Sequence, residues 1–344
     1  YCILQAATQL KTLLAINSGS SDDSPHVEVA LKTNNETVIR AVMLFAEGIF
    51  VGESLVHHPK EDAVTSEVSI PVRPPKDLAV DLHLKVLVGQ RNSKHFHVFE
   101  VSRQLPKFAM YLLVEEACVE KPAGCVRFKL AERPQRVASW VNQNFLLPED
   151  LSPHDHFRVT FVSLRELKPI TIHVGIDGEV TIETDMVEVA AEVIQSLAAF
   201  LSLQELVSIA YFPEENASLQ LLMNKAEHLS ARLTISANMA DTATIVRDFI
   251  LRAEDSRLMG DYKSMRNWYQ ELQALNRELM SSYKIRCHSH EELMACLRQL
   301  NQGIQRAARL RLGSSKSQVV ACARAAIKAA DSGRLLRALC TGEP

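Results

Sequence analysis

No apolar run in these 344 residues approaches the roughly 20 that a membrane-spanning helix needs. Charge of one sign is also scarce: 38 Lys and Arg stand against 41 Asp and Glu, which argues against nucleic-acid binding by bulk charge. The seven cysteines (2, 118, 125, 287, 296, 322 and 340) are odd in number and irregularly spaced. They form no disulfide framework, so a reducing compartment is expected. The phosphate loop G-x-x-x-x-G-K-[ST], the dinucleotide fingerprint G-x-G-x-x-G after a strand, the G-x-S-x-G elbow and the zinc helix H-E-x-x-H are all missing. Common nucleotide-dependent and hydrolytic chemistries therefore have no foothold in the motifs, and no cofactor is expected.

What remains is pattern. The length exceeds one ordinary core and suits two to four units. The chain begins at Tyr1, inside an amphipathic pattern, and reads as the C-terminal part of something longer. Over 1–18, Leu10, Leu13 and Leu14 join Ile3, Ala6 and Ala7 at helical spacing, so a helix is expected, either the end of a coiled coil or one folded back on its own domain. From 26 to 117 the period changes to two: "VEVALK", "VSIPV" and "VDLHLKVLV" are short alternating strands with turns between them, the pattern of an immunoglobulin-like β-sandwich. Residues 124–212 mix strands with two helices and a short third one expected behind Ser202, an α+β domain. Pro134 opens the first helix, Asp177-Gly178 turns a hairpin, and the pairs Asp185/Glu188 and Ser202/Glu205 have capping-box spacing.

After Phe212-Pro213 only helical spacing remains. Leu258, Tyr262, Met265, Tyr269, Leu272 and Leu279 step by four, three, four, three and seven, a heptad seam in a long hairpin over 214–285. Its tip fits either 236–242 or Gly260-Asp261. A C-terminal helical region, 286–344, follows with ten Lys and Arg against four Asp and Glu, read as a solvated basic surface. Its helices are expected to break at "GSSKS" and "DSG", with Arg306, Arg309, Arg311 and Lys316 complementing a helix dipole.

The stretch "KIRCHSHEELMACL" raises the question of metal, since it holds Cys287, His288, His290 and Cys296. The spacing is not that of a zinc site. Ser289 and Glu292 instead suggest a capping box, with a helix starting at His290 and Cys296 buried in a stripe with Leu293, Leu297 and Leu300. His57-His58 near Glu53, Glu61 and Asp62, and the triplet His154-Asp155-His156, read as surface loops.

Longer segments carry a resemblance. "NNETVIRAVMLFAEGIF", "VRPPKDLAVDLHLKVLVG", "FHVFEVSRQLPKFAMY", "WVNQNFLLPEDL", "AEDSRLMGDYKSMRNWYQELQALNRELMSSYKIRC" and "NQGIQRAARLRLG" together resemble the C-terminal half of the Bardet–Biedl syndrome protein 2 family of BBSome subunits. The resemblance implies a multidomain α+β architecture: a γ-adaptin-ear-like (GAE) sandwich, a platform domain, a long α-helical hairpin and C-terminal helices. It implies a non-enzymatic subunit of a coat-like complex that moves membrane proteins to and from cilia. Its partners would be other BBSome subunits, especially Bardet–Biedl syndrome proteins 7 and 9, together with ciliary membrane-protein cargo, and peripheral membrane contact would come through the complex. The implied location is cytoplasm, cilium, basal body and ciliary membrane. In ear-type adaptors the platform holds peptides beside aromatic and basic side chains, and here Trp140 and Arg136 lie on the platform's first helix. Leu10, Leu13 and Leu14, with the six seam residues, are the candidate partner-binding residues. Two other readings remain open, a stand-alone ear-type adaptor and a metal-dependent enzyme using the Cys/His clusters, as does self-association.

Overall fold

The computed structural model describes residues 8–19, 23–60, 64–91, 93, 95–152, 155–235 and 239–342, and it divides into two compact units, Tyr1–Leu203 and Gln204–Pro344.

The first unit opens with a correction. Leu10–Asn17 is a strand, β1, rather than the end of a helix, and residues 1–7 of that expected coil lie outside the described residues. β1 pairs antiparallel with β2 (His26–Thr33), which pairs with β5 (Glu67–Val72), placing Leu14 opposite Val29 and Val29 opposite Ile70. The second sheet runs β4 (Ser54–His57), β3 (Val38–Phe45), β6 (Val80–Gly89), β7 (Phe96–Leu105). Alternation dictates the sandwich: Val27, Val29, Leu31, Val68, Ile70 and Val72 from one sheet meet Ile39, Val42, Leu44, Leu82, Leu84, Val86 and Val88 from the other. Pro71 lies in β5, an edge strand, where it costs the ladder least.

The second lobe of this unit is a sheet in the order β9 (Cys125–Lys129), β12 (Glu179–Glu183), β11 (Pro169–Val174), β10 (Phe157–Ser163), β8 (Tyr111–Val114). β8 falls inside the stretch read as sandwich, yet it pairs with β10 and belongs here. Two helices accompany the sheet, α1 (Pro134–Asn144) and α2 (Val187–Leu201). Pro134 takes the N1 position, where its missing N–H leaves no gap. Gly178 turns β11 into β12 with φ +76°, and a Cβ there would clash with the Leu130 carbonyl oxygen. Neither expected capping box forms. Asp185 accepts from the Gly124 N–H at 2.8 Å while Met186 is the N-cap of α2, and Ser202 ends α2 in the left-handed region. No helix follows Ser202; Glu205 accepts from the Ser314 hydroxyl.

Trp140 does not line a surface pocket. It is fully buried, and its Nε1 donates to the Ser196 hydroxyl of α2 at 3.1 Å. Phe108, Tyr111, Phe145 and Phe161 extend its ring cluster, with Phe145 and Phe161 stacked at 4.2 Å. Arg136 instead pairs with Glu132 on the exposed side of α1. Asp77, just before β6, accepts from the Tyr111 hydroxyl at 3.0 Å and pairs with Arg165, joining sandwich to second lobe. Burial pushes the Tyr111 hydroxyl up to about 12, so it stays a donor across the physiological range.

The second unit holds β13 (Ser208–Tyr211) and five helices: α3 (Pro213–Ile235), α4 (Met239–Leu258), α5 (Tyr262–Ala308), α6 (Gly313–Lys328) and α7 (Ser332–Cys340). The tip is the Gly260-Asp261 alternative. Gly260 has φ +75°, and the Asp261 carboxylate accepts from the Ser264 N–H to start α5. The helix start at His290 is not there, because α5 runs unbroken for 47 residues through Ser289, which is buried in mid-helix. The break comes at 309–312, so "GSSK" begins α6 instead of separating helices. α3 and the last third of α5 share a core: Leu219, Met223, Ala226 and Leu229 meet Cys296, Leu300 and Ile304, and Val319, Ala323, Leu335 and Leu339 close it.

Arg311 was expected on a solvated helix end and is instead fully buried. Its Nε donates to the Ser208 carbonyl at 3.1 Å, and Nη2 donates to the carbonyls of Leu339 and Cys340. Burial lowers its pKa to about 10, against a smaller upward pull from Cys340. The guanidinium thus ties β13 to the C-terminus of α7, where carbonyls carry the negative end of the helix dipole. Arg306 pairs with Glu215 of α3 at 2.7 Å.

Candidate interaction surface

The distal part of the hairpin is built by α4 and the first half of α5. Gly260 permits the reversal, and the two helices then meet through rings: Phe249 and Trp268 lie 5.6 Å apart, with the Arg252 guanidinium 5.3 Å from the Trp268 centroid. The Tyr269 hydroxyl donates to Glu254 at 2.7 Å. That bond holds the Glu254 carboxyl below the usual range and raises the Tyr269 hydroxyl.

The structure separates the six seam residues into two groups. Met265, Leu272 and Leu279 are half-buried on the side of α5 that carries Trp268. Leu258 ends α4, across the turn, and is 80% exposed; Tyr262 and Tyr269 on α5 are 68% and 40% exposed. The heptad therefore does not run along one helix. Met259, beside Leu258, is 85% exposed and was not singled out by spacing, because it sits in the turn itself. Ile250, Leu251, Met280, Tyr283 and Ile285 are also exposed. An apolar surface of this extent, on helices that bury little else, has the composition of a contact surface.

The three leucines of the first unit also divide. Leu10 and Leu14 pack against the sandwich core, while Leu13 points outward at 66% exposure from β1, the edge of its sheet. β7 is the edge of the other sheet and exposes Phe96 and Val98. A 320 Å³ groove lined by Leu14, Ile16, Leu112, Leu146 and Pro148 lies along β1. Free edges and apolar grooves suit main-chain pairing with another chain.

The metal-type residues do not converge. Cys296 is inside the hairpin core while His288 and His290 are exposed, and Cys287 accompanies Tyr283 one turn away. Among the described residues no group of three His, Cys, Asp or Glu stands close enough to hold a metal ion, and no helix is long and apolar enough to cross a membrane. Glu61, Asp62 and His154 lie outside the described residues. The six described cysteines are free thiols.

Comparison with known proteins agrees with this order of parts. The family models described as BBS2 GAE domain, BBS2 platform domain and BBS2 hairpin match residues 20–108, 111–201 and 213–309. BBSome complex member BBS2 of Mus musculus is 45% identical over 342 residues, 99% of this chain and 47% of that protein. The Homo sapiens protein of the same name is 44% identical over the same share of each chain. BBSome complex member bbs-2 of Caenorhabditis elegans is 28% identical over 312 residues, 88% of this chain and 44% of that protein. The chain spans about half the length of the curated relatives it matches.

Proposed function

Because the chain belongs to the BBS2 family, we propose that it is a non-enzymatic structural part of a BBSome, a coat-like complex that carries membrane proteins to and from cilia. It acts by contact area, docking hairpin faces and free sheet edges on neighbouring subunits, Bardet–Biedl syndrome proteins 7 and 9 among them. Cargo and ciliary membrane are then met by the assembly, at the cilium and basal body. Within this reading Leu258, Tyr262 and Tyr269 are contact residues and Leu13 marks the strand edge. Met265, Leu272, Leu279, Leu10 and Leu14 support those surfaces from within. The observation that carries it is the exposed apolar tip, Leu258-Met259 with Tyr262, on a hairpin far longer than its own core covers.

The test is co-expression with those partner subunits. Replacing Leu258, Met259 and Tyr262 together by Ser is expected to lower co-purification at least tenfold while the melting temperature of the chain alone holds. Undiminished co-purification removes the tip from the interface.

A further inference from the structure

α5 carries a second apolar stripe, and its surroundings say what covers it. Tyr262, Tyr269, Met280, Tyr283 and Met294 are all exposed. Tyr262, Tyr269 and Tyr283 share one heptad position, with Asn276 between them. At 3.6 residues per turn the stripe lies roughly 100° round the helix from the side that packs on α3 and α4. It runs for about 48 Å at 1.5 Å per residue, so it is a narrow seam and not a broad face. Single exposed apolar residues need no explanation; a heptad-spaced row of them matches a coiled-coil position without its partner.

The inner flank of the seam meets α4, where Glu254 accepts from Tyr269 and pairs with Arg257; the charge on the outer flank has one sign. On the flank away from α4, roughly 80° further round, Arg277 and Lys284 share one heptad position, and Arg266, two heptads before Met280, lies at the seam's edge on the same side; all three are exposed and none has an ion pair among the described residues. The acidic residues Glu271 and Glu278 fall on the opposite side of the helix, and Glu291 ends the basic strip. In paired helices the charges flanking the seam select the partner.

We propose that this seam receives an amphipathic α-helix of another protein, with apolar residues at heptad spacing and Asp or Glu along the edge that meets Arg266, Arg277 and Lys284. This rests on the reading of the hairpin as a subunit-contact element and specifies its partner's chemistry. Tyrosines suit the seam, since each gives a large ring area at small entropic cost and keeps its hydroxyl toward the rim.

Two labelled helical peptides of five heptads test it, both with Leu at the a and d positions, one with Glu and one with Lys at e and g. Each is titrated into the whole chain and followed by fluorescence anisotropy, beside sedimentation with phosphatidylserine–phosphatidylcholine vesicles. The Glu peptide should bind at least tenfold more tightly than the Lys peptide. The triple variant Arg266→Glu, Arg277→Glu, Lys284→Glu should invert that preference, and Tyr283→Ser should weaken both peptides. Equal binding of the two peptides, no binding of either, or binding to vesicles alone overturns the proposal. The co-purification test uses residues of the tip, so a failure there with the peptide preference intact sinks the general reading and not this one. Intact tip-dependent assembly with no peptide preference does the reverse.

Discussion

The two halves of α5 belong to one helix and have opposite surroundings. Every buried residue on it, Ser289, Cys296, Leu300, Gly303, Ile304 and Ala308, lies in the last 20 positions, where α3, α6 and α7 enclose it. The first 27 positions bury none, although they carry three tyrosines and two methionines, four of these five exposed. The root is thus a core of the chain's own making. The distal half is held by one helix neighbour and a ring clamp, and packing of this kind supplies most of a helix's stability. The docking role proposed for the hairpin would cover that uncovered half from outside.

That contrast is broken most strongly at the root. Leu300→Ala removes a side chain with no solvent exposure and should cost about 2–5 kcal/mol in urea unfolding. Arg311→Ala orphans the carbonyls of Ser208, Leu339 and Cys340, each worth about 1–3 kcal/mol if left unpaired, partly offset because a costly buried charge leaves with them. Its loss should show as fast amide exchange confined first to α7. Trp268→Ala should melt the distal clamp locally, with faster exchange across Phe249–Arg252 and little change in the global transition. Smallest of all, Leu258→Ser should shift stability by about 0.5 kcal/mol or less, as exposed positions do, and a larger loss would mean the tip is packed within the chain.

Much of this was legible in the sequence, and the failures have physical causes. The sandwich declared itself because Val27, Val29, Leu31 and their counterparts repeat with a period that only strands have. β1 misled because Leu10 and Leu14, four apart, share a face in a helix and in a strand alike. The residue that distinguishes the two is Leu13, inward in a helix and 66% exposed here. Ser289 and Glu292 form a capping pattern only if a helix starts there, and with no Pro or Gly between Tyr262 and Gln302 nothing interrupts α5. Arg311 could not be found locally, since its partners are about 30 and 100 residues away and meet it only in the folded core. The seam was read as one heptad because the Gly260 turn preserves the spacing while reversing the chain.

Amide hydrogen exchange of the chain alone and in complex with its partner subunits addresses the contrast within α5 most directly. Positions 262–287 should exchange fast in the free chain and slow at least tenfold on assembly, while 289–308 are protected in both states. Protection of 262–287 in the free chain equal to that of 289–308, unchanged on assembly, would contradict the claim that the distal half is completed from outside.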